Sequence, residues 1–221
     1  MPVKNEQFQS FTVYTLNDKV KITRSIKILT LLIIINSSYK IETMAQTEKQ
    51  KYSVLHKNGD LEIRRYDPTI MASVEMPGSY SSMSSTGFRE LAGYIFGGND
   101  EQMKIAMTAP VHVASTDSTS TMSFVMPSEY SMVELPDPLS EKIRLHKTGL
   151  SITASISFGG YASDKVIRNK TEELKALLRS RGIKTMNDYR FLGYNPPYRI
   201  INRRNEIVVT LFGNWTPDSP Q

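Results

Sequence analysis

Few side chains in this chain are of the kinds that do covalent or proton-transfer chemistry. There is no cysteine, and the histidines are three: His56, His112 and His146. The missing thiol excludes disulfides, thiolate metal sites, a cysteine nucleophile and cysteine-linked cofactors. No two histidines have the spacing of a metal pair. His56 and His146 sit in similar stretches, Leu55-His56-Lys57-Asn58-Gly59 and Leu145-His146-Lys147-Thr148-Gly149. Both read as surface turn residues. His112 follows Pro110 and has no acid close to it in sequence, so as a ligand or base it needs a partner from elsewhere. What remains is electrostatic. Arg199, Arg203 and Arg204 cluster with Asn202, Asn205 and Glu206. A guanidinium fork pairs bidentately with a carboxylate. The cluster is either a solvated hairpin in which Arg203 or Arg204 pairs with Glu206, or a clamp for a carboxylated ligand. No phosphate loop, GxSxG elbow, carboxylate pair or dinucleotide fingerprint is present.

These residues are carried by alternating and helical patterns. Lys104-Ile105-Ala106-Met107-Thr108-Ala109-Pro110-Val111 is predicted to start as a paired strand and bend at Ala109-Pro110, since proline belongs at a strand edge, end or bulge. Met107 there is a candidate pocket contact, methionine being suited to adaptable apolar walls. Leu61–Tyr66 alternates, with Leu61, Ile63 and Arg65 on one face and Glu62, Arg64 and Tyr66 on the other. Asn58-Gly59 is a hairpin signal before it. Thr69 to Met76, Thr121 to Met126, Ser151 to Phe158, Asp188 to Tyr194 and Glu206 to Phe212 read as further strands, with a polar loop over Ser115 to Ser120. Phe88, Leu91, Ala92 and Ile95 recur at helical spacing. Gly87 and Gly93 lie in that helix, which points to close packing against it. A second helix starts at the N-cap Ser163, carries Ile167, Leu174, Leu177 and Leu178, and stops at Gly182. Each half thus reads strand, strand, helix, strand, strand: an internal duplication with two helices on one antiparallel sheet and a groove between the repeats.

The 221 residues carry a net charge of +5. Residues 1–45 hold six Lys/Arg against three Asp/Glu, and the remainder, with 21 against 19, is close to neutral. No long basic stripe with interleaved aromatics appears, which argues against nucleic acid as a partner. Ile26 to Ile35 is the most apolar stretch, preceded by Lys19, Lys21, Arg24 and Lys27. It is shorter than the ~20 apolar residues of a membrane span and reads as the h-region of a secretory signal, with Thr43-Met44-Ala45 before the cut. The expected organisation is a signal-like leader or disordered segment over 1–45, one domain over 46–215 and a tail over 216–221, in an exported, periplasmic or extracellular protein whose membrane contact is through the N-terminal segment only; a cytoplasmic protein is the alternative.

Five ordered pieces resemble the SOUL haem-binding protein family. They are Leu61-Glu62-Ile63-Arg64-Arg65-Tyr66-Asp67-Pro68, the Lys104–Val111 segment, Phe158-Gly159-Gly160-Tyr161-Ala162, Gly193-Tyr194-Asn195-Pro196-Pro197 and Asn202-Arg203-Arg204-Asn205-Glu206. The resemblance covers about residues 50–213 and implies an α+β fold: a distorted antiparallel β-barrel with two helices and an internal duplication. It implies binding of haem or a related tetrapyrrole in an apolar surface groove, as a non-enzymatic carrier, buffer or sensor. The helix Phe88–Phe96, through Phe88, Leu91 and Ile95, would then supply the apolar wall. Arg199 falls where some members place a basic residue near the porphyrin propionates. Some members carry an axial histidine in the opening strand; the matching position here is Arg65, which stays protonated and cannot ligate iron. The residues themselves leave two other readings open: an enzyme or effector-binding domain acting on a small hydrophobic molecule, with His112 and Glu206 as its candidates, and a protein-interaction module.

Overall fold

The computed structural model describes residues 47–215 apart from 79, 117, 197, 200 and 214, and for 81–84 the backbone alone. The leader, its cleavage site and the tail lie outside the described residues. The strands are β1 (Glu48–Lys49), β2 (Ser53–Asn58), β3 (Leu61–Tyr66), β4 (Ile70–Pro77), β5 (Thr108–Ala109), β6 (Val111–Ser115), β7 (Thr119–Val125), β8 (Ile143–Lys147), β9 (Ser151–Phe158), β10 (Arg190–Gly193) and β11 (Asn205–Thr210). The helices are α1 (Tyr80–Ile95) and α2 (Asp164–Ser180).

Alternation fixes which side each strand buries. In β3, Leu61 and Ile63 enter the core while Glu62, Arg64 and Tyr66 take the other face. Ala154 and Ile156 of β9 and Ile207 and Val209 of β11 continue the same core face. Nine strands form one antiparallel sheet in the order β2-β3-β9-β11-β10-β6-β7-β4-β8. Strands β3 and β8 cross between sequence halves: β3 pairs with β9, and β8 pairs with β4. The expected α+β class with two helices on a large antiparallel sheet is therefore present. Closure into a barrel is not among the strand pairings, because β2 and β8 end the order.

Both helices cover the core face. Helix α1 packs on β4, β6 and β7, and α2 packs on β9 and β11. Leu91, Tyr94 and Ile95 of α1 meet Val74, Met122 and Phe124; Leu174 and Leu178 of α2 belong to the same core. The Ser163 side chain accepts from the Val166 amide, as a polar N-cap does. At the other end Gly182 takes φ +65° and the Ile183 amide donates to the Leu178 carbonyl. Chain direction there needs the left-handed backbone that glycine allows.

The Lys104–Val111 segment bends as expected at Ala109-Pro110, a cis peptide. Its paired part is only β5, and the partner is β1, in parallel. The polar loop expected over Ser115 to Ser120 is shorter: Ser115 ends β6, Thr119 begins β7, and Ser115 and Ser120 are paired across the two strands. The expectation of close packing at Gly93 is also corrected. A Cβ there would meet nothing within 4 Å, whereas one on Gly98 would lie 2.7 Å from the Gly93 carbonyl oxygen. The close approach is made by the turn after the helix.

Candidate functional site

Opposite the helices, the sheet buries several polar side chains, among them Ser73, Ser123, His112 and Glu206. Ser73, Ser123, His112, Leu192, Glu206 and Ser157 are successive cross-strand partners over six strands. Directly opposed residues on one sheet face interact side by side, so this row is continuous. Ser73 and Ser123 share a hydrogen bond of 2.6 Å. At the other end Glu206, fully buried, gathers donors. Arg64 Nη1 donates to Oε2 at 2.7 Å and Nη2 to Oε1 at 3.0 Å. Arg204 donates to Oε1 through Nε at 3.0 Å and Nη2 at 2.6 Å. The Tyr194 and Ser157 hydroxyls complete the shell at 2.9 and 3.1 Å.

Arg64 is itself buried and is held from the side by Glu62, with contacts of 2.9 and 2.7 Å, and by the Tyr52 ring, 4.2 Å from its guanidinium carbon. Burial alone would push the Glu206 carboxyl up. The hydrogen bonds and charges of Arg64 and Arg204 outweigh it and hold the group below the ordinary carboxylate range. The Tyr194 hydroxyl is pushed far up, first by burial and then by the Glu206 charge. An ionised carboxylate surrounded by six donor contacts is fixed in place and has little capacity to take a proton. This is the chemistry of a structural clamp.

His112 has a different environment. Its Nε2 lies 2.9 Å from the Gln50 side-chain oxygen, and its Nδ1 is buried with no partner among the described residues. Burial drives its pKa down to about 3, with Arg190 adding to the effect and Glu206 opposing it. The ring is neutral at physiological pH. Residues 48–52 lie over this region as a strap: β1 pairs with β5, the Gln50 amide donates to the Ala109 carbonyl at 2.8 Å, and the Tyr52 hydroxyl accepts from Arg204 at 3.0 Å.

A second cluster is on the surface, in the loop between β10 and β11 and the turn after β9. Tyr198 and Ile201 are 83% and 77% exposed, and Tyr161 is also exposed. The Arg203 guanidinium lies 4.6 Å from the Tyr161 ring centre and donates to the carbonyls of Pro196 and Arg199. Tyr80, at the start of α1, joins this cluster: burial raises its hydroxyl and the Arg203 charge opposes the rise. Its ring meets Phe191 edge-on at 5.0 Å. Arg199 donates from Nε to the Ile201 carbonyl at 3.3 Å. Its two terminal nitrogens have no protein acceptor among the described residues.

The sequence-derived site residues do not fall in one place. Leu91 and Ile95 are 0% and 1% exposed and face the sheet, so they have no surface to offer a ligand in this conformation. Phe88 is half-buried, edge-on to Phe124 at 5.3 Å, and Met107 packs partly against the core. Arg65 pairs with Asp67 at 3.7 Å, near the start of β9, whereas Arg199 belongs to the loop leading to the end of β9. His56 and His146 are far apart on opposite edge strands, β2 and β8, and form no pair; both sit within strands and not in the turns expected for them. The predicted Arg204–Glu206 pair is present; Arg64, its buried third member, was missed. One signal was available: Glu206 heads the apolar run Ile207-Val208-Val209, where an acid needs a partner.

Two clefts lie elsewhere. One of about 370 Å³ runs beside α1 and is lined by Arg89, Gly93, Tyr94, Gly98, Leu139 and Ile143. One of about 250 Å³ lies between α2 and residues 183–189. Among the described residues no three His, Asp or Glu side chains converge as a metal site. No described helix is long and apolar enough to cross a membrane.

Comparison with known proteins agrees with this architecture. A family model described as SOUL heme-binding protein matches residues 47–210. Heme-binding protein 2 of Homo sapiens is 34% identical over 160 residues, which cover 67% of this chain and 77% of that protein. Its Mus musculus counterpart is 31% identical over 159 residues, with the same coverage. The C-terminal domain of EcmrR superposes with a TM-score of 0.56 over 74% of this chain and 99% of its own, at 11% identity, a likeness of fold alone. The family model spans the sheet, both helices and the Arg64–Glu206 clamp, and on that match the chain belongs to the SOUL heme-binding protein family.

Proposed function

We propose that the protein binds haem or a related tetrapyrrole without turning it over, on the surface formed by Tyr80, Tyr161, Tyr198, Arg199 and Ile201. The observation that carries this is Arg199. Among the described residues its terminal nitrogens have no protein acceptor, and exposed aromatic and aliphatic side chains lie beside it. A tetrapyrrole with carboxylate substituents presents a flat apolar body and an anionic edge, and this surface fits both. Burial of the macrocycle would supply most of the free energy, and bidentate pairing with Arg199 would orient it.

The same residues do not fit histidine ligation of iron. His56 lies against Trp215 with ring centres 5.8 Å apart, His112 is enclosed beneath Gln50, and His146 is on edge strand β8. Arg65 occupies the position that carries a histidine in some family members. The reading therefore concerns the porphyrin more than its metal. Family membership supports it at the level of ligand class, and the likeness to the EcmrR domain at the level of fold alone. The strand order, which runs β6-β7-β4-β8 one way from the centre and β10-β11-β9-β3 the other, supports the reading of an internal duplication. Export on the Ile26–Ile35 segment belongs to the same proposal, and N-terminal sequencing of the mature protein should then begin near Gln46.

Titration with haem tests the function. A saturable shift of the Soret band with quenching of the single tryptophan, Trp215, is expected at micromolar haem. Metal-free porphyrin should bind comparably. Absence of saturation with both ligands would refute the proposal.

A further inference from the structure

The end of the sheet away from the proposed tetrapyrrole surface carries a second kind of patch. Three loop tips meet there: Lys147-Thr148-Gly149-Leu150, Arg181-Gly182-Ile183-Lys184-Thr185-Met186-Asn187 and Leu211-Phe212-Gly213. Backbone bonds hold them together. The Leu211 amide donates to the Ile152 carbonyl at 2.8 Å, the Phe212 amide to the Lys184 carbonyl at 3.0 Å, and the Met186 amide to the Thr210 carbonyl at 2.8 Å. Each tip exposes one large apolar side chain: Leu150 at 59%, Met186 at 56% and Phe212 at 67%.

Across the Thr185–Leu211 bridge, alternation puts Lys184, Met186 and Phe212 on one side. Thr185 and Asn187 line the 250 Å³ cleft towards α2. The three tips contain Lys147, Arg181 and Lys184 and no acid. None of these cations has an ion-pair partner among the described residues. The nearest acids in the adjoining turns are engaged. Asp67 pairs with Arg65, and Asp188 accepts from the Thr210 amide and hydroxyl and lies 3.6 Å from Arg190.

We propose that this end of the molecule docks on an anionic lipid surface. Leu150, Met186 and Phe212 would enter the interfacial layer, and Lys147, Arg181 and Lys184 would lie among the headgroups. Apolar side chains on separate tips, each beside a long cationic side chain, suit a plane that accepts shallow insertion. The aliphatic stems of Lys and Arg can follow the apolar groups while their charges stay with the headgroups. Charge complementarity to acidic lipid adds to the apolar term. The eight-residue strand β9 separates this end from Tyr161, about 25 Å at the rise of an extended chain. Docking would leave the tetrapyrrole surface facing water, and the two proposals stand or fall separately.

The full chain contains no cysteine, so Met186→Cys provides a single thiol for an environment-sensitive fluorophore. Residues 1–45 contain an apolar stretch of their own, so the position of the label, not sedimentation, is the decisive readout. With vesicles of phosphatidylserine in phosphatidylcholine, the label at 186 should shift to the blue and be quenched by brominated acyl chains. A label introduced by Tyr198→Cys should stay in water on the same bound protein. Combining Lys147→Glu, Arg181→Glu and Lys184→Glu should weaken the response at 186 by about tenfold or more, with an unchanged urea-unfolding midpoint as the check on folding. A label at 186 that remains in water on vesicle-bound protein overturns the proposal. So does a shift produced by soluble polyglutamate and not by vesicles, which would assign the surface to an acidic protein.

Discussion

Arg64 and Glu206 meet fork to fork inside the sheet although 142 residues separate them and β9 runs between their strands. The contact joins the third strand of the chain to the last. Both side chains are almost wholly withdrawn from water. Removing one partner of a buried pair leaves an uncompensated charge and costs about 3–5 kcal/mol. Arg64→Met leaves Glu206 its bonds from Arg204, Tyr194 and Ser157, so it is expected to destabilise by about 3 kcal/mol, the lower end of that range, in denaturant unfolding. The double variant Arg64→Met/Glu206→Leu should lose less than the sum of the two single variants, because the carboxylate whose burial Arg64 offsets is removed along with it. Strict additivity would show that the two side chains are not energetically coupled.

His112 makes stability depend on pH in a definite direction. Its folded-state pKa is about 3, against about 6.5 in an unfolded chain. The unfolded chain takes up a proton that the folded chain refuses. The stability is therefore fully present above about 6.5 and is lost as pH falls towards about 3, reaching about 2 kcal/mol by pH 5. The depressed carboxyls of Glu62 and Glu206 act in the same direction but at lower pH, below the ordinary carboxylate range. His112→Gln retains a polar group facing Gln50 and removes the titration. Urea midpoints measured between pH 7 and pH 5 should fall for the parent and stay nearly level for the variant.

How much of this was legible from sequence depended on the range of the interaction. Strand β3, strand β9 and helix α2 follow from alternation, the Ser163 cap and Gly182, all set within a few residues. Strands β1 and β5 are two residues each and carry no period; their pairing joins segments about sixty residues apart. The apolar spacing of Leu91 and Ile95 was plain, but spacing cannot tell a face covered by the sheet from one open to a ligand. The Arg64–Glu206 clamp needs the order β3-β9-β11, which is a property of the whole sheet. Arg204–Glu206 was readable because both ends lie in one strand approach.

The turn after α1 gives two glycines with opposite expectations. At Gly98 a Cβ would stand 2.7 Å from the Gly93 carbonyl oxygen and 3.0 Å from its carbon, both backbone atoms. The Gly98 amide also donates to that oxygen at 2.8 Å, so the turn cannot simply move away. Gly98→Ala should lower stability by at least about 2 kcal/mol, as overpacking does. Gly93→Ala meets open space in the α1 cleft and should raise stability by up to about 1 kcal/mol through helix propensity. Thermal melts of the two variants should move apart; a stabilised Gly98→Ala would mean the turn is not held as described.

Arg199 and Arg203 are close in the same loop but are predicted to differ when ligand binding is measured. Arg203 bonds the Pro196 and Arg199 carbonyls and covers Tyr161; it shapes the loop. Arg199 makes one bond through Nε and leaves its fork outward. A charge-assisted hydrogen bond is worth about 1.5–3 kcal/mol, so Arg199→Glu should weaken haem binding by about tenfold to a hundredfold. The same change should hardly affect a porphyrin whose propionates are esterified, since no carboxylate remains to pair. Arg203→Ala should weaken both ligands alike, because it disturbs the apolar wall that both would use. Fluorescence titration of the two variants with the two ligands separates these roles. Equal losses for haem and its ester in Arg199→Glu would remove Arg199 as the propionate partner and leave binding to the apolar surface alone.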